Sequence, residues 1–159
     1  FTSGWHVFKF NNLHSDATDL YGEHTNVVEQ FASIDFPLIR AAEMYLIYAE
    51  AKTRYDGGTT SDAKAVKCIT DLQKRAGLNP AITSITLDNV FTEITRELYW
   101  EGLRRTTLIR FDKFVEGSYV WPFKGGAESG QALAAHMKLF PIPDEDLVAN
   151  PNLTQNKGY

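Results

Sequence analysis

The sequence has 159 residues, 43% hydrophobic and 23% charged, the proportions of an ordinary globular domain. A chain of this length buries roughly 68–70% of its unfolded surface, which excludes a disordered, collagenous or disulfide-stapled design. Sixteen basic against twenty acidic residues leave a net charge of −4, which removes the electrostatic case for a dedicated nucleic-acid binder.

Cys68 is the only cysteine, so there is no disulfide framework and no cysteine-rich zinc site. No stretch reaches the ~20 apolar residues that span a bilayer. Ten Phe, three Trp and seven Tyr make aromatic residues frequent, and the question is whether they form core or binding surface. The opening Phe1-Thr2-Ser3, in place of Met, leads us to expect a piece of a longer protein.

Residues 1–36 read as an irregular entry segment. Within it Gly4-Trp5-His6-Val7-Phe8-Lys9-Phe10 alternates like a short strand, and Asn11 to Asn26 is polar and turn-rich. A helix is predicted from Asp35-Phe36-Pro37, with Asp35 as cap and proline in the first turn. Leu38, Ala41, Ala42, Tyr45, Tyr48 and Ala49 would form its apolar stripe, with Arg40, Glu43, Glu50 and Arg54 opposite. Tyr55-Asp56-Gly57-Gly58 ends it.

A second helix is predicted from about Ser61 to Ala76, burying Ala65, Val66, Cys68, Ile69, Leu72 and Ala76 and closed by Gly77. Helix, glycine turn, helix gives a hairpin of tetratricopeptide type. One such unit cannot bury both of its faces, so stacking partners are expected outside this sequence.

A third helix is predicted from Thr86 to about Arg104, with Leu87, Val90, Phe91, Ile94 and Leu98 on one face. Glu101 falls inside that stripe, so it needs a partner: Arg105 at i+4 or Arg40 across the helices. Trp100 projects the other way. Leu108 to Phe114 reads as a short helix, and Glu116 to Gln131 as a glycine-rich loop carrying Tyr119, Trp121 and Phe123. The tail runs Leu139-Phe140-Pro141-Ile142-Pro143 into a short helix capped by Asp144 and stopped at Asn150-Pro151.

Most chemical motifs fail on inspection. Gly125 and Gly130 have phosphate-loop spacing, but Gln131-Ala132 follows where lysine and a hydroxyl residue are needed. Gly126-Ala127-Glu128-Ser129-Gly130 puts serine one place late for a nucleophile elbow. His6, His14, His24 and His136 lack metal-ligand spacing, and Asp144-Glu145-Asp146 is only a fragment of a calcium loop. No metal or cofactor is therefore expected. Glu97 and Glu101 are the best-placed pair for glycoside hydrolysis, yet Arg96, Arg104 and Arg105 would hold them ionised in structural ion pairs. The aromatic loop offers a sugar platform, since ring faces stack on the C–H faces of sugars. Phe123 is expected to fold back into the core. Tyr119 and Trp121 fit either role, and Trp5 and Trp100 are further candidates.

Three segments then resemble one family. Arg40-Ala41-Ala42-Glu43-Met44-Tyr45-Leu46-Ile47-Tyr48-Ala49-Glu50-Ala51 is similar to the R-x-A-E-x-Y-L-x-x-A-E-A helix of SusD/RagB proteins. Arg96-Glu97-Leu98-Tyr99-Trp100-Glu101-Gly102-Leu103-Arg104 resembles their R-E-L-x-x-E-G-x-R signature. Leu139 to Pro143, then Asn150 to Asn156 and Gly158-Tyr159, resemble their C-terminus, with Lys157 where proline is usual.

The resemblance implies a mainly α fold: a tetratricopeptide-like hairpin, further helices and long loops, forming the C-terminal part of a SusD-like protein. It implies a single domain or fragment over 1–159, with its helical core at 37–115 and the aromatic loop and tail at 116–159. It further implies a non-catalytic surface lipoprotein of the bacterial outer membrane that captures glycans for a SusC-like TonB-dependent transporter. The lipid anchor of such proteins has no counterpart here, Cys68 being internal. The alternatives are a peptide-binding tetratricopeptide-type module and a glycosidase using Glu97 and Glu101.

Overall fold

A computed structural model describes Lys9 and residues 36–159. Trp5, the proposed strand at 4–10 and the polar stretch 11–26 lie outside the described residues, Lys9 excepted. The architecture is mainly helical: α1 (Ala41–Tyr55), α2 (Ala63–Arg75), α3 (Leu87–Glu97), α4 (Arg104–Arg110) and α5 (Asp144–Ala149). Its only sheet among the described residues is a two-stranded ribbon, β1 (Thr59–Thr60) against β2 (Ile85–Thr86), antiparallel.

α1 begins later than the sequence pattern suggests. Arg40 occupies the N-cap position with extended backbone and no side-chain cap, since a guanidinium has only donors and cannot accept from the free amides. The buried stripe is also rotated: Ala42, Leu46, Ala49, Glu50 and Thr53 face inward. Leu38 is 86% exposed, and Ala41 and Tyr45 are exposed too. Ala42 and Ala49 belong to both versions of the stripe, and Tyr48 is half-buried against the core. The small Ala42, Ala49 and Ala65 at the α1–α2 contact permit close approach.

α2 follows expectation more closely. Asp62 caps it by accepting a hydrogen bond from the Ala65 amide at 2.8 Å. Ala65, Cys68, Ile69 and Leu72 are buried, Val66 is half-buried and Ala76 is exposed. Burial raises the pKa of the Cys68 thiol, as for an inert core cysteine. Gly77 ends the helix at φ 84°.

The ribbon was invisible to periodicity, since each strand is two residues long. It ties the α1–α2 connection to the start of α3, where the Leu87 amide donates to Gly58 at 3.1 Å. Thr86 then caps α3 in a reciprocal box with Asn89. Val90, Ile94 and Leu98 enter the core with Ile85, while Phe91 packs on Phe111.

α3 stops at Glu97, not near Arg104. Trp100 and Gly102 both take left-handed backbone (φ 63° and 76°), which reverses the chain. That reversal carries Glu101 back beneath Arg40. The Arg40 guanidinium donates to both Glu101 oxygens, Nη2 to Oε1 at 2.7 Å and Nε to Oε2 at 2.9 Å. It also reaches Glu97 Oε1 and the Glu97 carbonyl, each at 2.8 Å. Lys9 bonds Glu101 from a further side, and Arg75 of α2 bonds Glu97. Arg105, by contrast, donates to the carbonyls of Met137 and Lys138, so the i+4 pair with Glu101 does not form. The short α4 lifts Arg105 off the α3 axis that the spacing assumed.

A second buried carboxylate anchors α4. Glu50 accepts from Arg110 at 2.8 and 3.0 Å and from Arg54 at 2.9 Å. It was expected on the solvent face of α1. The helix predicted at 108–114 instead occupies 104–110, with residues 111–114 turning into the loop.

The tail is held by side chains. Pro141 and Pro143 have no amide N–H, so their segment cannot pair as an ordinary strand. Gln155 instead accepts from the Ile142 amide (2.8 Å) and donates to its carbonyl (2.9 Å). Asn156 donates to the Phe140 carbonyl at 2.8 Å and the Tyr159 hydroxyl to the Leu139 carbonyl at 2.9 Å. Asp144 is the first residue of α5 and not its cap, and the three acidic residues there suit the helix N-terminus.

Removing the Glu101 carboxylate takes away the anion that Arg40 and Lys9 share, so Glu101→Ala is expected to cost about 3 kcal/mol in urea unfolding at pH 7. Burial alone would raise the Glu101 pKa, but hydrogen bonds from Arg40 and Lys9 hold it below the ordinary carboxylate range. A depressed folded-state pKa means that this stabilisation is complete above about pH 5 and is lost as pH falls through the folded value. Glu101→Gln should therefore flatten part of the acid limb of a stability–pH profile.

Candidate functional site

The α3–α4 reversal presents two consecutive aromatic residues. Tyr99 and Trp100 stand edge to face, with ring centroids 6.4 Å apart. Trp100 is 65% exposed, on a left-handed backbone that is a true outlier for so bulky a residue. Such strain tends to persist where a side chain has work to do, because packing would otherwise relax it.

The loop after α4 supplies the facing wall. Tyr119 lies edge-on to Phe91 of α3 (5.6 Å) and tilted against Trp121 (5.6 Å). Between the two walls lies a cleft of about 640 Å³ floored by Leu98, Leu103 and Thr107. Three of the four aromatic residues singled out from the sequence, Trp100, Tyr119 and Trp121, line this one cleft. Trp5 lies outside the described residues. Tyr99 and Arg104 line it too and were missed. The adjacent Tyr99-Trp100 pair ahead of Gly102 was the available signal; Arg104 was expected beside Glu97 and Glu101, and it bonds the Thr95 and Tyr119 hydroxyls instead.

The loop is fixed by charge as well as by rings. Lys124 is only 2% exposed, and its ammonium donates to the Tyr119 carbonyl while lying 4.6 Å from the Trp121 ring centre. Burial lowers its pKa from the ordinary lysine value. Phe123, expected in the core, is 68% exposed: its left-handed backbone (φ 65°) turns the ring outward and the lysine stem inward. Arg104 lies over the Phe91 and Tyr119 rings, 4.8 and 5.7 Å from their centres, and donates to the Thr95 hydroxyl.

A second groove, of about 590 Å³, runs between α1 and α4. No aromatic ring lines it, and Glu50, Arg54 and Arg110 on its rim are already bonded to one another. The aromatic cleft is the better candidate. The glycosidase pair fares worse: Glu97 and Glu101 are each held by two cations, and Glu101 is driven toward the ionised form. A general acid needs the opposite shift. Among the described residues there is no cluster of side chains suited to a metal ion.

The family model described as the SusD family matches residues 1–159. The chain belongs to the SusD family. It is 37% identical over 159 residues to the starch-binding protein SusD of Bacteroides thetaiotaomicron, covering all of this chain and 27% of that protein. A surface glycan-binding protein A from Bacteroides uniformis superposes with TM-score 0.61 at 27% identity, over 76% of this chain and 27% of that one. A SusD superfamily protein from Parabacteroides distasonis gives TM-score 0.61 at 25% identity, over 83% and 29%. The chain thus spans just over a quarter of the length of these relatives.

Proteins of the SusD family are non-catalytic glycan-binding proteins of the outer membrane that partner SusC-type transporters. The SusD-type motifs in this chain serve as scaffold. In the Arg96–Arg104 segment, Glu97 and Glu101 bind Arg40, Leu98 enters the core, Gly102 makes the turn and Arg104 braces Tyr119. The family-type C-terminal motif is the side-chain clip on residues 139–142. What the scaffold holds in place is the cleft.

Gly130 is the tightest point of the loop. A methyl group there would sit 2.2 Å from the Trp121 carbonyl oxygen, on backbone at φ 73°. Gly130→Ala is expected to destabilise by about 1–3 kcal/mol and to shift the intrinsic tryptophan emission, read by thermal unfolding and fluorescence.

Proposed function

We propose that this chain is the C-terminal part of a SusD-like lipoprotein that captures oligosaccharide at the bacterial surface and passes it to a SusC-like TonB-dependent transporter. The observation that carries the binding role is the convergence of Trp100, Tyr119 and Trp121 on one cleft. Ring faces at its two walls suit a pyranose, whose C–H groups pack on the negative π face while its hydroxyls reach polar groups at the edge. The roles of two relatives, starch binding and surface glycan binding, support the ligand class.

The same reading places 37–115 as the helical core and 116–159 as the loop and tail of one domain, entered through 1–36. The α1–α2 hairpin is one tetratricopeptide-like unit whose outer face, with Leu38, Met44 and Ile47 exposed, stacks on helices of the longer protein. Attachment to the membrane belongs to an N-terminal lipid anchor. No described helix is long and apolar enough to cross a membrane.

Titration of the full chain with oligosaccharides, followed by tryptophan fluorescence, tests the reading. Trp121→Ala is expected to weaken binding roughly tenfold, the worth of one good stacking contact, while leaving the melting temperature in place. Saturation by peptides with no response to any oligosaccharide would replace glycan capture with peptide binding.

A further inference from the structure

The charge around the cleft is one-sided. Among the described residues that line it, Arg104 is the only ionisable cation and no carboxylate side chain is present. Arg104 has no salt-bridge partner among the described residues; its polar contacts are the Thr95 and Tyr119 hydroxyls, both neutral. A guanidinium has five N–H donors, so these leave donors to spare. Behind Trp121 stands a second cation, Lys124, buried and bonded to a neutral carbonyl. Elsewhere in the fold, buried charge is answered: Glu50, Glu97 and Glu101 each have arginine partners. A further cation beside Tyr119, Lys113, is paired with Asp88 at 3.1 Å, whereas Arg104 and Lys124 flank the aromatic pair with no carboxylate partner among the described residues.

The geometry points to an acidic oligosaccharide, one carrying uronate carboxylates, as the ligand of this cleft. The aromatic walls take the sugar faces and Arg104 takes the carboxylate, for which its planar fork is shaped. Lys124 adds a long-range positive potential and positions Trp121 from below. This rests on the glycan-capture reading and sharpens it, because a neutral glucan would leave both cations unanswered.

The test compares oligogalacturonate with its methyl ester, which has the same backbone without charge, and with a neutral maltooligosaccharide. Each is titrated into the full chain and followed by tryptophan quenching. Oligogalacturonate is expected to bind at least about tenfold more tightly than the methyl ester, as a charge-assisted contact should. That advantage should shrink several-fold in about 0.5 M salt, and in Arg104→Gln and Lys124→Met. Salt and esterification probe the charge without altering the protein, so the result stands even if either variant folds poorly. Equal or tighter binding of the methyl ester or the maltooligosaccharide would overturn the acidic assignment and leave glycan capture intact. Acid-selective binding unaffected by Trp121→Ala and Arg104→Gln would place the anion elsewhere and overturn it too. Absence of binding by all three sugars would remove the capture reading itself.

Discussion

Arg40 is a single side chain on which three parts of the molecule converge. Its guanidinium sits at the start of α1 and grips both Glu97, the last residue of α3, and Glu101 in the turn beyond it. Two carboxylates this buried are costly unless charge and hydrogen bonds answer them, and Arg40 answers both. The consequence is positional. With Glu101 drawn back to Arg40, α3 cannot continue, and the chain must reverse through Trp100 and Gly102. The wall of the cleft is made by that reversal.

The opposing wall depends on a different kind of constraint. Residues 116–131 hold no long secondary structure, yet the aromatic loop is closely packed. Backbone bonds such as the Gln131 amide to the Lys124 carbonyl (2.9 Å) close it on itself. Gly130 permits the close pass beneath Trp121, and Lys124 inserts its stem where a hydrophobic ring was expected. Loops positioned this way by a rigid scaffold are where binding residues concentrate. Here the scaffold carries the family motifs with Tyr99 and Trp100, and the loop adds Tyr119 and Trp121.

The two walls of the cleft differ in origin: one is the Arg96–Arg104 motif segment, the other the loop that carries Tyr119 and Trp121. Glu97, Leu98, Glu101 and Gly102 are needed for the turn whatever is bound, whereas Tyr119 and Trp121 could change without disturbing the helices. Leu98, Gly102 and Arg104 belong to both sets, since they line the cleft as well, and Arg104 also braces Tyr119. Membership of the SusD family therefore establishes the frame, and the cleft joins residues of the Arg96–Arg104 motif segment to rings of a loop outside the motifs.

Helix existence, the α2 face, the need of Glu101 for a cation and the family itself were all present in residue order, because each rests on local periodicity, charge placement or a contiguous motif. Tyr119, Trp121 and Trp100 could be named as candidates for the same reason. The sequence could not choose Arg40 over Arg105 as the partner, because i+4 spacing assumes a continuous helix and the left-handed turn at Trp100 breaks it. Nor could it place Leu38 outside, Glu50 inside or Lys124 in the site of Phe123, since burial depends on which elements pack together. Residue order alone determined a helical SusD-type scaffold with loose aromatic residues. Only the tertiary structure decided that three of those rings share a cleft with an unanswered arginine, because the contacts that join them run between segments distant along the chain.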